Sequence, residues 1–235
     1  MTTLPLDISA LEKTVGHVFQ NRTYIERALT HSSYANEMKA REPSYQDNER
    51  MEYLGDSVLS LVTSEYLFST HPEMPEGKLS LVRAAAVCEK TLAFFANNIE
   101  LGNYLFLGHG EEQNNGRKRP SILSDAFEAL ICAIYLDAGI DEVKKFLLPM
   151  LSSKITEIVE SGSAEDYKTS LQHIIQQEHG EVLCYVTVGE SGPPHQRIFE
   201  VEARLNSNVI GRGKAGSKRE AEQLAAKEAL TLFGE

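Results

Sequence analysis

The segment Asn48-Glu-Arg-Met-Glu-Tyr-Leu-Gly-Asp-Ser-Val58 sets acids at helical spacing. At about 100° per residue, Glu49, Glu52 and Asp56 fall within roughly 60° of one another, opposite Leu54, Val58 and Leu61. Like charges one turn apart destabilise a bare helix by a few tenths of a kcal/mol. Such a stripe therefore calls for solvent or for a bound cation, and taken alone it fits either equally. A second acidic pair is more demanding. In Ser121-Ile-Leu-Ser-Asp-Ala-Phe-Glu-Ala-Leu-Ile-Cys-Ala-Ile-Tyr-Leu136 apolar residues occur on every side, the mark of a buried helix, and Asp125 and Glu128 are its charges. A buried carboxylate must be paired, protonated or metal-bound. Two helices presenting acids inward suit a hard divalent cation with oxygen ligands. With no His or Cys partners in the set, Mg²⁺ or Mn²⁺ is favoured over Zn²⁺. His31 is read as structural rather than as a general base.

The elements that must carry these residues follow from periodicity. Helical period and length appear over Ile8 to Val18, Thr23 to Thr30, Glu49 to Ser69, Glu76 to Asn97, Ser121 to Ala138 and Asp141 to Glu160. Strand-like alternation is scarce there, so residues 1–161 are expected to form an all-α domain. Ser161-Gly-Ser-Ala164 reads as a linker, with 162–165 between domains. From 166 the pattern changes: a helix to about His179, a strand over Val182 to Val188, and a turn at Gly189-Glu-Ser-Gly-Pro-Pro194. A half-buried strand follows over Arg197 to Leu205, then a third over Val209 to Arg212, and a helix capped by Ser217 that runs to about Phe233. The expected fold is an all-α domain followed by a small α+β domain, 166–235, of order α-β-β-β-α.

Composition limits the function classes. The chain has 235 residues, 42% hydrophobic and 24% charged, which is the profile of an ordinary globular protein. No window approaches the roughly 18 consecutive apolar residues of a membrane span, and the start lacks signal-peptide regions, so no membrane and a cytoplasmic location are expected. Cys88, Cys132 and Cys184 form neither a disulfide framework nor a zinc array, and are read as small core residues. Net charge is −11, which alone argues against nucleic acid. Its distribution qualifies that, because Arg212, Lys214, Lys218 and Arg219 form a cationic run with no acid among them.

Glu49-Arg-Met-Glu-Tyr-Leu-Gly-Asp-Ser57 closely resembles the nine-residue signature of the ribonuclease III family. Thr30-His-Ser-Ser-Tyr-Ala-Asn-Glu37, Pro75-Glu-Gly-Lys-Leu-Ser80 and Ser121-Ile-Leu-Ser-Asp-Ala-Phe-Glu-Ala129 resemble further segments of that family, in its order. The resemblance implies a bacterial-type endoribonuclease that cuts both strands of double-stranded RNA with Mg²⁺, leaving 5′-phosphate and 3′-hydroxyl ends with short 3′ overhangs, in RNA processing. It implies Glu52, Asp56, Asp125 and Glu128 as metal-binding carboxylates, with Asp56 and Glu128 catalytic. Glu49 and Glu76 are implied as auxiliary acids, and a homodimer through the first domain. An exposed Met51 or Tyr53 would be compatible with a subunit contact, and each is as easily core. Cys132 departs from the small residues, often Gly, usual at that place.

The small domain resembles the double-stranded-RNA-binding domain through Asp166-Tyr-Lys-Thr-Ser-Leu-Gln172 and Gly211-Arg-Gly-Lys-Ala-Gly-Ser-Lys-Arg-Glu-Ala-Glu222. Duplex RNA is read across its shallow minor groove and neighbouring phosphates. The likeness assigns minor-groove contacts to Gln172 and Gln176 and to the loop with His195, and phosphate contacts to Lys214, Lys218 and Arg219. The basic loop Asn114-Asn-Gly-Arg-Lys-Arg-Pro120 is either a further RNA contact or a solvated loop. Two rivals are weighed against the nuclease: a catalytically silent duplex binder, and a metal-dependent hydrolase of small phosphoesters. The intact acids disfavour the first, and the second domain disfavours the other.

Overall fold

The computed structural model describes residues 7–161, 167–176, 182–193 and 196–233, apart from the side chains at 173 and 176. The chain divides into two compact units, residues 1–164 and 165–235.

The first unit's regular elements are helices: α1 (Ile8–Val15), α2 (Arg22–Ala28), α3 (Ser32–Met38), α4 (Glu49–Thr70), α5 (Glu76–Ala86), α6 (Glu89–Asn98), α7 (His109–Gln113), α8 (Pro120–Ala138) and α9 (Ile140–Glu160). The centre is α8. Its Ile122, Leu123, Phe127, Leu130, Ile131 and Ile134 are all buried, and α2, α4, α6 and α9 pack around it. Pro120 starts it at the position where a missing N–H costs nothing. Helix α4 turns Met51, Gly55, Val58 with its neighbour Leu59, Val62 and Leu67 inward, a recurrence close to the period of one helical face.

The face opposite the acids does not include Leu61, which is 59% exposed; Met51 is core, and of the pair considered for a subunit contact only Tyr53 is outward, at 79% exposure. The predicted helix Glu76 to Asn97 is two helices, broken at Val87 and Cys88, where the backbone turns extended (Cys88 φ −73°, ψ 157°) and the Thr91 hydroxyl donates to the Ala85 carbonyl. Apolar period runs unbroken through Ala84-Ala-Ala-Val-Cys88, so no local signal marks the break. It comes from packing, with α5 against α4 and α9, and α6 against α8. Helices α3 and α7 were absent from the periodic reading, being about two turns or fewer. Of the cysteines only Cys132 is core, while Cys88 is exposed and Cys184 half-buried.

The second unit has α10 (Tyr167–Gln176), β1 (Leu183–Ser191), β2 (Ile198–Leu205), β3 (Asn208–Ala215) and α11 (Lys218–Leu230). The strands form one antiparallel sheet in the order β1-β2-β3. Both helices pack on the face bearing Val201 and Ala203, and Leu171, Ile175, Ala221, Ala225, Ala226 and Ala229 complete the core. The alanines on α11 meet glycines on β3: a Cβ at Gly213 would lie 1.9 Å from the Ala221 carbonyl oxygen. Backbone therefore rests on backbone. The Ser217 side chain accepts from the Glu220 N–H and caps α11 as read from the sequence. β1 extends through Gly189 to Ser191, beyond the expected start of the turn, with a register shift between Thr187 and Gly189. No helix among the described residues is long and apolar enough to cross a membrane.

Candidate active site and nucleic-acid interface

The acids of α4 and α8 are brought together by one close helix contact. Gly55 packs directly on the α8 backbone, where a Cβ would fall 1.9 Å from the Glu128 carbonyl oxygen and 2.5 Å from its carbon. A turn before Gly55, Glu52 faces Asp125 and Glu128. Carboxylate oxygens of these three half-buried residues all lie within 4.8 Å of one another. The start of α4 is held by Asn48, whose Nδ2 donates to the Ala28 carbonyl (3.2 Å) and whose N–H donates to the Thr30 carbonyl (2.9 Å).

The electrostatics of the trio are those of an anion cage. Burial pushes the Glu128 carboxyl up to about 8, and the charges of Asp56, Glu52 and Asp125 push in the same direction. Glu52 is raised by burial and then by Asp125, Glu49 and Asp56. Asp125 is raised by burial, against a lowering hydrogen bond from the Ser124 hydroxyl and the nearby His31. Among the described residues no lysine or arginine is ion-paired with any of the three. A divalent cation fits this donor set: all-oxygen, multiply anionic, and costly to ionise together without a counter-charge.

The other sequence candidates fall differently. Asp56 is exposed and outside the tight trio, although its charge is the first to act on Glu128. Glu49 is exposed, and its charge reaches Glu52 and His31. Glu76 is not with them. It is exposed, accepts from the Ser80 hydroxyl (2.9 Å), and lines a hollow of 390 Å³ with Leu61, Ser64, Phe68 and Arg83.

His31 is the N-cap of α3, its Nδ1 accepting from the Ser33 N–H at 3.2 Å. Burial lowers its pKa, opposed by Glu111, Asp125 and Glu49 and assisted by Arg119. The basic loop is largely spent internally. Arg117 pairs with Glu112 and donates to the Gly102 carbonyl (2.8 Å), and Arg119 pairs with Glu111 (2.8 Å). Positive charge in a loop could not reveal these partners, of which Glu111 and Glu112 lie on α7. Periodicity also missed the spacer role of Gly55, although a glycine in mid-helix is a usable signal of close approach.

In the second unit Gln172 is exposed on α10. The Gln176 side chain and His195 lie outside the described residues. Lys218 and Arg219 are exposed in the first turn of α11, where free N–H groups and the helix dipole favour phosphate. The Lys218 ammonium sits 5.6 Å from the Phe199 ring centroid. Lys214 is elsewhere: it projects from β3 on the sheet face away from the helices, paired with Glu200 across the ladder. Beside it Glu202 is held by Arg204 (2.7 Å) and Arg212 (3.1 Å), whose hydrogen bonds keep its carboxyl below the usual range despite burial. Thus the cationic run of the sequence divides between two surfaces.

Comparison with known proteins agrees with both units. Residues 21–155 match the family model described as Ribonuclease-III-like, and residues 167–232 match the double-stranded RNA binding motif. The chain is 46% identical over 225 residues to Ribonuclease 3 of Clostridium tetani, spanning 96% of this chain and 94% of that protein. It is 44% identical to Ribonuclease 3 of Caldanaerobacter subterraneus, spanning 97% and 98%. Among solved structures, the nuclease domain of the Campylobacter jejuni ribonuclease III is similar with a TM-score of 0.57 and 42% identity, covering 63% of this chain and 98% of that one.

Proposed function

The chain belongs to the ribonuclease III family, and from that premise we infer that it is an endoribonuclease that cuts both strands of double-stranded RNA. The observation that carries the reading is the convergence of Glu52, Asp125 and Glu128 where α4 and α8 touch, in a chain whose second unit matches a duplex-RNA-binding motif.

Glu52, Asp125 and Glu128, with Asp56 beside them, would hold Mg²⁺, or Mn²⁺ in its place. The cation supplies charge neutralisation and a lowered water pKa for hydrolysis of a phosphodiester. The residues themselves do three things. Their carboxylates orient water by accepting its hydrogens. Their shared charge makes a bare site repel RNA phosphate, so the charge must be countered before substrate can approach. The rigid α4–α8 contact fixes their spacing, which is the preorganisation such catalysis requires. Hydrolysis with loss of the 3′ oxygen gives 5′-phosphate and 3′-hydroxyl ends, and offset cuts on the two strands give short 3′ overhangs.

Two cuts call for two sites, and a homodimer through the first unit supplies them. The outward α4 stripe of Tyr53, Leu61 and Phe68 (79, 59 and 77% exposed), beside the hollow holding Glu76, supports that contact. On this reading Glu49 and Glu76 are auxiliary acids. Gln172, Gln176 and His195 meet the minor groove, Lys218 and Arg219 meet phosphate, and Lys214 does so only after leaving Glu200. Processing of ribosomal and messenger RNA in the cytoplasm fits such a substrate.

The test is cleavage of an end-labelled RNA duplex of about 30 base pairs, long enough for the roughly 16 that one binding domain spans. Wild type and Glu128→Gln are compared with Mg²⁺ and with chelator. Mg²⁺-dependent cutting lost in the variant, with duplex binding retained, is expected. Binding without cutting by wild type would leave the chain a duplex-binding scaffold.

A further inference from the structure

An asparagine at the start of a helix usually turns its side-chain oxygen onto that helix's own first N–H groups. Asn48, 4% exposed at the N-cap of α4, makes no such bond. The Glu49 N–H is met instead by the Asp47 carboxylate (3.4 Å), and the Asn48 amide bonds back to α2. Its Nδ2 donates to the Ala28 carbonyl (3.2 Å) and its N–H to the Thr30 carbonyl (2.9 Å), while Arg27 Nε donates to the Asp47 carbonyl (3.0 Å). These three bonds tie the start of α4 to the end of α2, a helix that itself packs on α8. Helix α2 thus joins the start of α4 to the helix that carries Asp125 and Glu128.

Glu52 lies between two fixed points. Its N–H donates to the Asn48 carbonyl (2.9 Å), so Asn48 sits one turn before it on the same face, and Gly55 meets the Glu128 backbone three residues after it. The contact at Gly55 fixes how close α4 and α8 come, but a single contact point does not set the angle at which α4 leaves it. The anchor at Asn48 sets that angle, being about 10.5 Å along the axis from Gly55 where Glu52 is about 4.5 Å from it. Resting on the cation site and nuclease reading above, we propose that Asn48 is a positioning residue: by bonding α4 to α2 it sets the distance of the Glu52 carboxylate from Asp125 and Glu128, and with it the affinity and selectivity of the site for Mg²⁺. Mg²⁺ demands near-ideal octahedral geometry, whereas Ca²⁺ accepts a variable shell. Loss of the anchor therefore weakens Mg²⁺ more than Ca²⁺.

The test is made on the full chain without RNA, reading the free Mn²⁺ signal by electron paramagnetic resonance with Mg²⁺ or Ca²⁺ as competitor. In Asn48→Ser the hydroxyl is too short to reach the Ala28 carbonyl, and serine is itself a strong N-cap, so the helix start is retained. Arg27→Met removes the neighbouring donor at nearly equal length and decides the matter where the serine variant does not fold. Asp137→Ala, at the far end of α8, is the control for lost stability. Mg²⁺ affinity is expected to fall about tenfold in Asn48→Ser, as for loss of a group that orients a metal ligand, and by less in Arg27→Met. Ca²⁺ affinity falls less than Mg²⁺ affinity in both, and Asp137→Ala shows neither shift. The Mg²⁺ midpoint of duplex cleavage rises by the same factor, with the rate at saturating Mg²⁺ near that of wild type. Unchanged Mg²⁺ affinity in the folded variants overturns the proposal. So does an equal loss of Mg²⁺ and Ca²⁺, or a matching loss in Asp137→Ala, either of which marks general loosening. A wild type that binds no cation overturns it too. A wild type that binds cation without cutting duplex RNA defeats the nuclease reading alone, and the Mg²⁺-to-Ca²⁺ affinity ratio still decides this inference.

Discussion

The backbone of Gly55 lies against the backbone of Glu128 so closely that a single added methyl group would fall 1.9 Å from the Glu128 carbonyl oxygen. One contact thus sets both the helix packing of the first unit and the spacing of its acids.

Gly55→Ala should therefore reverse the usual sign of that substitution. In mid-helix, alanine normally gains about 0.5–1 kcal/mol over glycine. Here the clash is with backbone, which cannot swing aside, so a net loss of about 2 kcal/mol or more is expected from overpacking. Thermal unfolding measures it, and cleavage should fall further than stability because Glu52 is displaced from Asp125 and Glu128.

The carboxyl trio makes metal-free stability fall as pH rises. Glu128 is pushed up to about 8 and Glu52 and Asp125 are also raised, so the folded chain holds protons that the unfolded chain releases from about 4.5 upward. With more protons bound when folded, stability declines through the window from about 4.5 to 8. Of the groups lowered by folding, Asp137 and Glu202 titrate below that window, whereas His31, lowered from 6.5 by burial, opposes the trend up to about 6.5, so the decline stands clear above that value. Melting temperatures in chelator at about pH 5, 6, 7 and 8 should drop most clearly between 7 and 8, where Glu128 is still titrating. Glu128→Gln should flatten the trend, and Mg²⁺ should raise the midpoint most at the alkaline end.

Asp137 is an anchor rather than a ligand. Its carboxylate, 2% exposed, accepts from the Gln20 and Asn21 N–H groups (3.0 and 2.9 Å) and pairs with His17 Nε2 (2.9 Å), tying the end of α8 to the α1–α2 connection. Asp137→Ala leaves those donors unmet and should cost about 2–3 kcal/mol. Cleavage per folded molecule should be unchanged.

The division of the cationic run predicts unequal effects on duplex binding. Lys218→Ala and Arg219→Ala should each weaken affinity for any sequence and reduce the salt slope by about one. Lys214→Ala should do less, because Glu200 already holds that ammonium. Glu200→Gln should tighten binding, most visibly at low salt. Filter binding over a salt series checks all four.

Phe68→Lys, on the exposed α4 stripe, should turn a dimer into monomer by sedimentation, since a charge facing its symmetry mate is repelled across an isologous contact. A dimer that survives both this change and Leu61→Lys would place the contact on another face.

Much of this protein was legible in its residues because local spacing carries local structure. The 3.6-residue period located α4, α8 and α9, alternation located β2, and Ser217 marked the start of α11, since these depend on neighbours within a turn or a ladder. The same spacing placed acids on two helices. It could not say which would meet, because that depends on how α4 and α8 cross. The crossing brings Glu52 to Asp125 and Glu128, leaves Asp56 at the rim and keeps Glu76 by a separate hollow. Tertiary structure alone also decided that Arg117 and Arg119 are spent on α7, that α5 and α6 part at Cys88, and that Met51 is core while Tyr53 is outward. The arginine pairs reach back only five and eight residues, but across a turn whose path periodicity does not fix, and the others are settled by competition between packing surfaces.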